Sequence, residues 1–493
     1  SRTTATLLGT VTRVDSTSVE GATVQIRHEA TGATKSALTN EDGKYLILLL
    51  SPGGPYTLTV NHLGFAEERR EGLVLQVGEA YRVDVEVREE AIELPGIEVA
   101  AERAPIFDPS QVGPVTRLTE RTLEAMPIIS RNVMELAVLS SLVKTTEGGG
   151  FSVAGQNDRY NALLVDGVLS KDMFGLTSGG IHGGQAGAKL IPMDAVSQFE
   201  VLVAPFDVRL SGFTGGVMNA VTRSGTNDWR VRFSGAHRNE ALIGDLSLPT
   251  GPVEASGVDR SLLAFSVGGP VIHDALHFFV SGEFERSRQP PNGYNLFRDD
   301  PALIRISEEN VEAVASLFEN RFGVDVGTAG VYPLEQEMAN IFARADWNLP
   351  GGDRVLVRHV FAHAENDQAP NRSAFLPYEL SSNGVSRSST NHVTSVQLFS
   401  EFGGRFANEL GLTLQRTTDH TNPASDLPQV EVDVVSSIAD VGYSRSIRLG
   451  GQFFSQLNDL EQTSLRLTNS LDIKMGDDVL TVGATASWYD LTH

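Results

Sequence analysis

The sequence contains one histidine–glutamate pair at a spacing that metallopeptidases use to bind zinc, formed by His237 and Glu240. A hydrolytic zinc site needs such a pair, a third ligand, and one coordination position left open for water. Here the pair lies at the end of a predicted β-strand, where side chains three residues apart point to opposite faces. The two side chains therefore cannot converge on one ion. We expect no catalytic site, no metal site and no cofactor, so the protein is not an enzyme.

Charge and composition exclude further kinds of chemistry. The 493 residues carry a net charge of −23, which would repel the phosphates of a nucleic acid. The chain has no cysteine, so backbone pairing and packing must hold it together. No apolar run reaches the roughly 18 residues of a transmembrane helix, although a transmembrane strand needs only about 10. The residues from Ser1 onward read like a mature N-terminus after signal-peptide cleavage.

From Trp229 onward, apolar and polar residues alternate with a period of two. Leu465 and Leu467, for example, share one strand face, whereas Arg466 and Thr468 share the other. The polar faces carry several charges, which fits a water-filled interior. The pattern predicts nine strands, at residues 229–238, 261–268, 276–288, 338–347, 354–365, 392–402, 405–417, 461–474 and 478–489.

The connections between these strands distinguish a soluble β-sandwich from a membrane barrel. Short, glycine-marked connections alternate strictly with long ones of about 22 to 49 residues. An outer-membrane barrel has short periplasmic turns and long external loops, whereas a sandwich has no reason for this alternation. Residues 229–493 are therefore predicted to form the first strands of a large antiparallel transmembrane β-barrel.

Two local features belong to this barrel prediction. Trp347, Trp488 and Tyr489 are candidates for its aromatic girdles, the alternative being packing in the interior. The longest loop, residues 289–337, is predicted to contain a helix capped by Ser307. Its apolar face should pack on the barrel mouth or a neighbouring loop, and comprises Val311, Val314, Ala315, Phe318 and Phe322.

The stretch from Asn161 to Trp229 combines short apolar strands with glycine-rich turns. Strands are predicted at Leu163–Val165 and Phe199–Val203, with a glycine-rich segment between them. Two helical runs are predicted upstream, capped by Thr119 and Ser130. Five residues of this stretch carry the motif compared with a known family below: Asp166, Gly167, Gly215, Gly216 and Asn219.

The order of these pieces resembles the plug domain of a TonB-dependent outer-membrane receptor, running into the first barrel strand. The resemblance is closest to receptors with an N-terminal carboxypeptidase-regulatory-like domain, the Oar type. It implies a mainly β fold in four parts. They are a β-sandwich at 1–90, a linker at 91–104, an α+β plug domain at 105–228, and a partial barrel at 229–493.

The N-terminal part has short β-type segments separated by turns such as Asp42-Gly43 and Pro52-Gly53. This pattern resembles the carboxypeptidase-regulatory-like domain, with a last strand at residues 83–88. The resemblance implies a periplasmic accessory module.

The linker contains a short strand-forming segment after a Pro-Gly break. Its position resembles that of the TonB box, which pairs with an edge strand of TonB by strand addition. The candidate residues are Ile97, Glu98, Val99, Ala100 and Ala101. The alternative is an ordinary linker strand.

Ligand contacts follow from the resemblance alone. In the family, apical plug loops face the outside and touch ligand, which implies Phe174, Gly175, His182 and Gln185 as candidates. The alternative is a surface loop without ligand contact.

The strand count implies an incomplete barrel. Nine strands is an odd number, and a plugged lumen takes about 22. We expect the chain to be the N-terminal portion of a longer receptor.

The resemblance implies an outer-membrane active importer whose N-terminal domain is periplasmic. Its partners would be TonB, outer-membrane lipids, a ligand that is a peptide or an oligosaccharide, and a surface lipoprotein or other surface protein. The alternative is a surface-binding or structural outer-membrane protein on the same scaffold, without transport.

Overall fold

The fold is known from a computed structural model, and strands dominate it, which confirms the mainly β class. Among the residues covered, no helix is long and apolar enough to cross a membrane. The structure describes residues 3–89, 114–126, 128, 130–146, 150–172, 180–244, 246–248, 251–253, 257–289, 308–328, 332–370, 377–434, 446–453, 458–476 and 478–493.

The N-terminal residues form two sheets packed face to face. One has the order β4-β1-β7, with β8 also pairing with β1, and the other has the order β3-β2-β5-β6. Alternating side chains such as Val24, Ile26 and Leu58 are fully buried between them, as expected for a sandwich. The strands are β1 (Ala5–Arg13), β2 (Thr23–His28), β3 (Thr34–Leu38), β4 (Lys44–Leu50), β5 (Gly53–Asn61), β6 (Glu68–Leu75), β7 (Ala80–Arg82) and β8 (Val85–Val87).

The plug is built on a mixed five-stranded sheet of order β13-β12-β15-β14-β9, and a separate hairpin pairs β10 with β11. Strands β12 and β14 contain the predicted strands. The helix α1 (Glu120–Ala125) follows Thr119 as expected, although Thr119 makes no capping bond to its backbone. The strands are β9 (Val115–Leu118), β10 (Val143–Thr145), β11 (Phe151–Val153), β12 (Ala162–Val165), β13 (Val168–Leu169), β14 (Val196–Val203) and β15 (Gly216–Thr222).

The second predicted plug helix was wrong in its start and type. It is a 3₁₀ helix at Val133–Leu139 capped by Asn132, whose side chain accepts a hydrogen bond from the backbone N of Met134. Ser130 instead donates to the carboxylate of Glu135 at 2.6 Å. Asparagine caps as well as serine does, and Arg131 between them has a left-handed φ of 52°, which prevents the helix from starting earlier.

The barrel sheet is nine-stranded and antiparallel, and each strand pairs with the next one of the series. Strands β16 and β29 form its edges. Inward and outward positions alternate: Arg354, Leu356 and Arg358 are buried, whereas Val357 is exposed. The strands are β16 (Arg230–Asn239), β19 (Asp259–Ile272), β20 (Leu276–Gln289), β21 (Leu334–Asn348), β22 (Arg354–Gln368), β24 (Val385–Phe402), β25 (Phe406–Pro423), β28 (Asn458–Met475) and β29 (Asp478–Thr492).

Several of these strands are longer than the sequence pattern indicated. Strand β24 starts at Val385 rather than at residue 392, and β25 runs on to Pro423. The additional residues pair in register with each other. They are mostly polar on both faces, so they carry no hydrophobic alternation, yet backbone hydrogen bonding continues the strands.

The long loops carry additional structure at the end opposite the short turns. Helix α3 (Glu308–Phe322) buries Val311 and Val314 against Tyr378, Leu380 and Ile447 of two other loops. The expected packing on a neighbouring loop is therefore present, but Phe322 is exposed and Ser307 lies outside the described residues. The remaining elements are the short helix α2 (Glu240–Ile243) and strands β17 (Leu246–Leu248), β18 (Gly251–Val253), β23 (Tyr378–Glu379), β26 (Val430–Asp433) and β27 (Ser446–Leu449).

Candidate functional site

The Asp166–Gly167 turn sits at the end of β12, where the plug meets the barrel wall. The buried carboxylate of Asp166 accepts hydrogen bonds from the backbone N of Thr222 at 2.8 Å and from its hydroxyl at 2.7 Å. Gly167 has φ of 73°, a left-handed conformation that glycine adopts without strain. Its backbone N donates to the side-chain oxygen of Asn219 at 3.2 Å. These bonds fix the turn to the centre of the plug sheet.

Two buried arginines of the barrel wall face this turn. Arg358 on β22 donates to the carboxylate of Asp166 at 2.9 Å. Arg344 on β21 donates to Asp346 at 2.7 and 2.8 Å and to the hydroxyl of Thr222 at 2.8 Å. Because unpaired buried charges are costly, this set of paired charges ties the plug to the barrel in one orientation.

The other motif glycines allow the plug sheet to pack closely. A Cβ atom on Gly216 would lie 2.5 Å from a methyl carbon of Val153, and one on Gly215 would lie 2.5 Å from the side-chain oxygen of Asn161. That same oxygen accepts a hydrogen bond from the backbone N of Gly216 at 3.0 Å. A side chain at position 216 would therefore press on β11 through Val153, and one at position 215 would press on Gln156 and Asn161, which follow β11.

A second group of charges joins plug and barrel on β20. The carboxylate of Glu283 is fully buried and accepts hydrogen bonds from Arg131 at 2.8 Å and Lys189 at 2.7 Å. Each plug cation has one further partner: Arg131 pairs with Asp194 at 2.8 Å, and Lys189 with Glu285 at 3.0 Å. We call these five residues the Glu283 cluster.

The Glu283 cluster and the two arginines were not singled out from the sequence. The alternation in β20 assigned Glu283 and Glu285 to the polar, inward face, and that is the only signal the sequence offers. Their partners Arg131 and Lys189 are more than 90 residues away along the chain. Such pairings depend on how the plug is seated in the barrel.

The candidate ligand contacts divide into two groups. Phe174 and Gly175 lie outside the described residues. His182 and Gln185 lie on the plug turn that faces β24, β25 and β28, and His182 is buried there. Nδ1 of His182 lies 3.2 Å from the hydroxyl of Thr417, and Gln185 hydrogen-bonds the carboxylate of Asp419.

This contact zone, which we call the apical chamber, is rich in buried polar groups. Its members are His182, Asp172, Thr417, Asp419 and Gln462, and Gln462 donates to Asp172 at 3.2 Å. Within the described part of the chain, one oxygen of Asp419 and the amide oxygen of Gln462 have no protein partner. Burial lowers the pKa of His182 to about 4, so the imidazole is neutral at pH 7. The chamber therefore offers neutral and acidic hydrogen-bonding groups.

Metal chemistry finds no support in the described ranges, where no group of three or more histidine, aspartate or glutamate side chains could hold an ion. His237 lies near the end of β16, and its Nδ1 lies 3.0 Å from the hydroxyl of Ser261. Glu240 starts the following helix and accepts from the backbone N of Gly257. The two side chains thus belong to different elements, a strand and a helix, and each has a different partner.

The candidate TonB box, Ile97 to Ala101, lies outside the described residues. The structure fixes its two flanks, since Glu89 ends the described part of the sandwich and Pro114 starts that of the plug.

The chain is similar to one known domain family and to two outer-membrane transport proteins. Residues 6–88 match the carboxypeptidase regulatory-like domain family. A curated relative, the TonB-dependent transporter Oar of Myxococcus xanthus, is 24% identical over 274 residues, which is 50% of this chain and 23% of Oar. The outer membrane transporter YddB of Escherichia coli superposes with a TM-score of 0.51 at 11% identity, covering 76% of this chain and 48% of YddB.

These comparisons confirm the resemblance: a carboxypeptidase regulatory-like domain is followed by the fold of TonB-dependent receptors. The expected outer-membrane β-barrel fold agrees with that of the outer membrane transporter YddB. Both are named as transporters, in agreement with the expectation that the chain is not an enzyme. The chain spans less than half the length of either relative.

Proposed function

We propose that a receptor containing this chain imports a solute across the outer membrane, energised by TonB. The observation that carries the proposal is a plug seated inside barrel strands and held there by paired charges rather than by an apolar core alone. When the plug is pulled, water can replace each partner of these ion pairs. The attachment of the plug to the barrel is therefore both stable and reversible. The likeness to Oar and YddB supports the same function.

The transport cycle follows from the arrangement. Solute binds at the external loops and the apical chamber, whose hydrogen bonds connect the plug turn at His182 to β25 through Thr417. TonB pairs with the segment Ile97 to Ala101 by strand addition. Tension on that segment acts on the plug through β9, the first described plug strand after it, which pairs with β14. The Glu283 cluster then separates and opens a path along the barrel wall.

The chamber supports a peptide or an oligosaccharide as the solute. Such ligands present amide and hydroxyl groups, which match the unpartnered oxygens of Asp419 and Gln462 in the described chamber. A ferric chelate is less favoured, because the groups described there are acidic or neutral and would not attract an anionic chelate.

The experiment compares binding with uptake in cells expressing the full-length receptor. The probes are fluorescein-labelled tryptic peptides of casein and fluorescein-labelled malto-oligosaccharides. Deleting Ile97 to Ala101 should abolish uptake of the transported probe and leave its surface binding intact. A deletion of equal length at residues 91–95, in the same linker, controls for linker shortening. Unchanged uptake after the first deletion would exclude the mechanism.

One observation favours a second candidate, a surface-binding protein without transport. The external loops form a packed cap in which helix α3 covers strands β23 and β27. An ordered cap presents a fixed surface to another protein, such as a surface lipoprotein. A stoichiometric complex with such a protein, together with no energy-dependent uptake of either probe, would establish this function.

A further inference from the structure

The N-terminal sandwich is seated on the end of the barrel that carries the short turns. Leu48 and Leu49, at the end of β4, are buried against Leu356, Phe399 and Ala407. These three barrel residues occupy buried, inward positions near the turns of β22, β24 and β25. The sandwich therefore inserts two leucines into the mouth of the barrel rather than touching its outer surface.

Polar contacts surround these leucines. The Nζ of Lys35 lies 3.4 Å from a carboxylate oxygen of Glu401, and Lys474 donates to the backbone carbonyl of Leu46 at 3.1 Å. Arg354 donates to the hydroxyl of Ser51, and its guanidinium stacks on the ring of Phe399. Contacts thus come from three neighbouring turns of the rim.

The same domain also contacts the plug. The backbone N of Asn227 donates to the carbonyl of Ala30 at 2.7 Å, and the backbone N of Val77 donates to the side chain of Gln198 on β14 at 3.3 Å. The sandwich consequently bridges plug and barrel from below. A plug that leaves through this mouth has to displace it.

The contact has the character of a reversible dock. A cleft of about 540 Å³ remains between the sandwich and the rim, lined by Lys35, Ser51, Asp274 and Arg354 among others. The sandwich and the rim are therefore in contact over only part of the area between them. Burial also lowers the pKa of Lys35, since the cost of removing its charge from water outweighs the attraction of Glu401. Release would restore the hydration of this ammonium group.

We infer that the N-terminal sandwich is a gate on the periplasmic side, which closes the barrel mouth beneath the plug and undocks before solute passes. The inference rests on the proposed import function. The candidate TonB box lies between the sandwich and the plug in the chain, so tension on it acts on both. One pulling event would release the gate and then the plug.

A reversible cross-link tests the gate, and the 493 residues contain no competing cysteine. The full-length receptor carries Lys35→Cys and Glu401→Cys, joined by a bis-maleimide whose spacer contains a reducible disulfide. Each single variant receives the same reagent. The matched control is Arg416→Cys with Glu461→Cys, an exposed ion pair between β25 and β28 at the opposite end of the barrel. The probes are the two labelled mixtures described above.

We expect the cross-linked receptor to bind the transported probe at the cell surface and to lose at least 10-fold of its uptake rate. Reductant should restore uptake, and the control cross-link should have no effect. Uptake that is unchanged by the cross-link between residues 35 and 401 would overturn the gate while leaving import established. A receptor that takes up neither probe before cross-linking would overturn import, and the gate with it.

Discussion

Replacing Glu283 by glutamine tests whether the Glu283 cluster holds the plug in the barrel. The change keeps the size of the side chain and removes its charge. Glu283 is the only member of the cluster that bonds both plug cations, Arg131 and Lys189. The variant should therefore weaken the attachment of the plug and leave the pairing of the barrel strands intact.

The expected magnitude follows from the two bonds. A hydrogen bond to a charged group contributes about 1.5–3 kcal/mol. Arg131 keeps Asp194 and Lys189 keeps Glu285, so neither cation becomes an unpaired buried charge. The loss should thus be well below the sum of two such bonds, at about 2–3 kcal/mol. Since 1.4 kcal/mol is a factor of ten, plug opening becomes about 30- to 150-fold more frequent.

Hydrogen exchange of the purified receptor in detergent measures this opening. Amides of β14 and β15, at the centre of the plug sheet, should exchange faster by that factor, and amides of β25 should not change. The control is Glu335→Gln on β21, whose ion pairs with Arg286 and Arg288 are exposed and should contribute little. Equal exchange of β14 and β15 in wild type and Glu283→Gln would refute the idea that these ion pairs hold the plug. Equal acceleration in β25 would assign the effect to the barrel instead.

Two further predictions follow from the structure. Asp166→Asn removes the carboxylate partner of the buried Arg358, while Arg344 keeps its pair with Asp346, and should destabilise the plug towards urea by about 3–5 kcal/mol. The exposed Asp228→Asn should not, and equal urea midpoints would contradict the prediction. Burial lowers the pKa of His28 from 6.5 to about 4, with the nearby Arg354 as the next cause and Glu29 opposing it. The folded sandwich therefore binds fewer protons than the unfolded one, and its stability, full above pH 6.5, should fall by about 3 kcal/mol towards pH 4. Exchange of β2 and β5 amides measures this fall, which should be absent in His28→Gln; a fall of the same size in that variant would assign it to another group.

Most barrel strands could be predicted from the sequence because the pattern that marks a strand arises from neighbouring residues. A strand between two environments must alternate apolar and polar residues, so Leu465 and Arg466 reveal their faces without any knowledge of their neighbours. Short and long connections likewise alternate because only one end of such a barrel carries long loops, whereas the other end carries short turns. The predicted order of nine strands agrees with the observed pairing.

The errors also have physical causes. Where strands such as β24 extend beyond the apolar band, both faces are polar and the alternation disappears, although backbone pairing continues to Val385. The start of the 3₁₀ helix at Val133 was predicted wrongly because Ser130 and Asn132, two residues apart, are equally good helix caps. The sequence alone gives no criterion to choose between the two caps. The left-handed backbone conformation of Arg131 selects Asn132, because it prevents a helix from starting at Ser130.

The sequence by itself determined the architecture: a small sandwich, a glycine-rich plug and an alternating barrel. Those features depend on residue type and short-range spacing. The tertiary structure alone decided that Asp166 faces Arg358, that Glu283 holds Arg131 and Lys189, and that Leu48 enters the mouth of the barrel. These contacts join residues more than 90 positions apart, and they form only once the plug and the sandwich are seated, since any inward charge of a strand could pair with many partners.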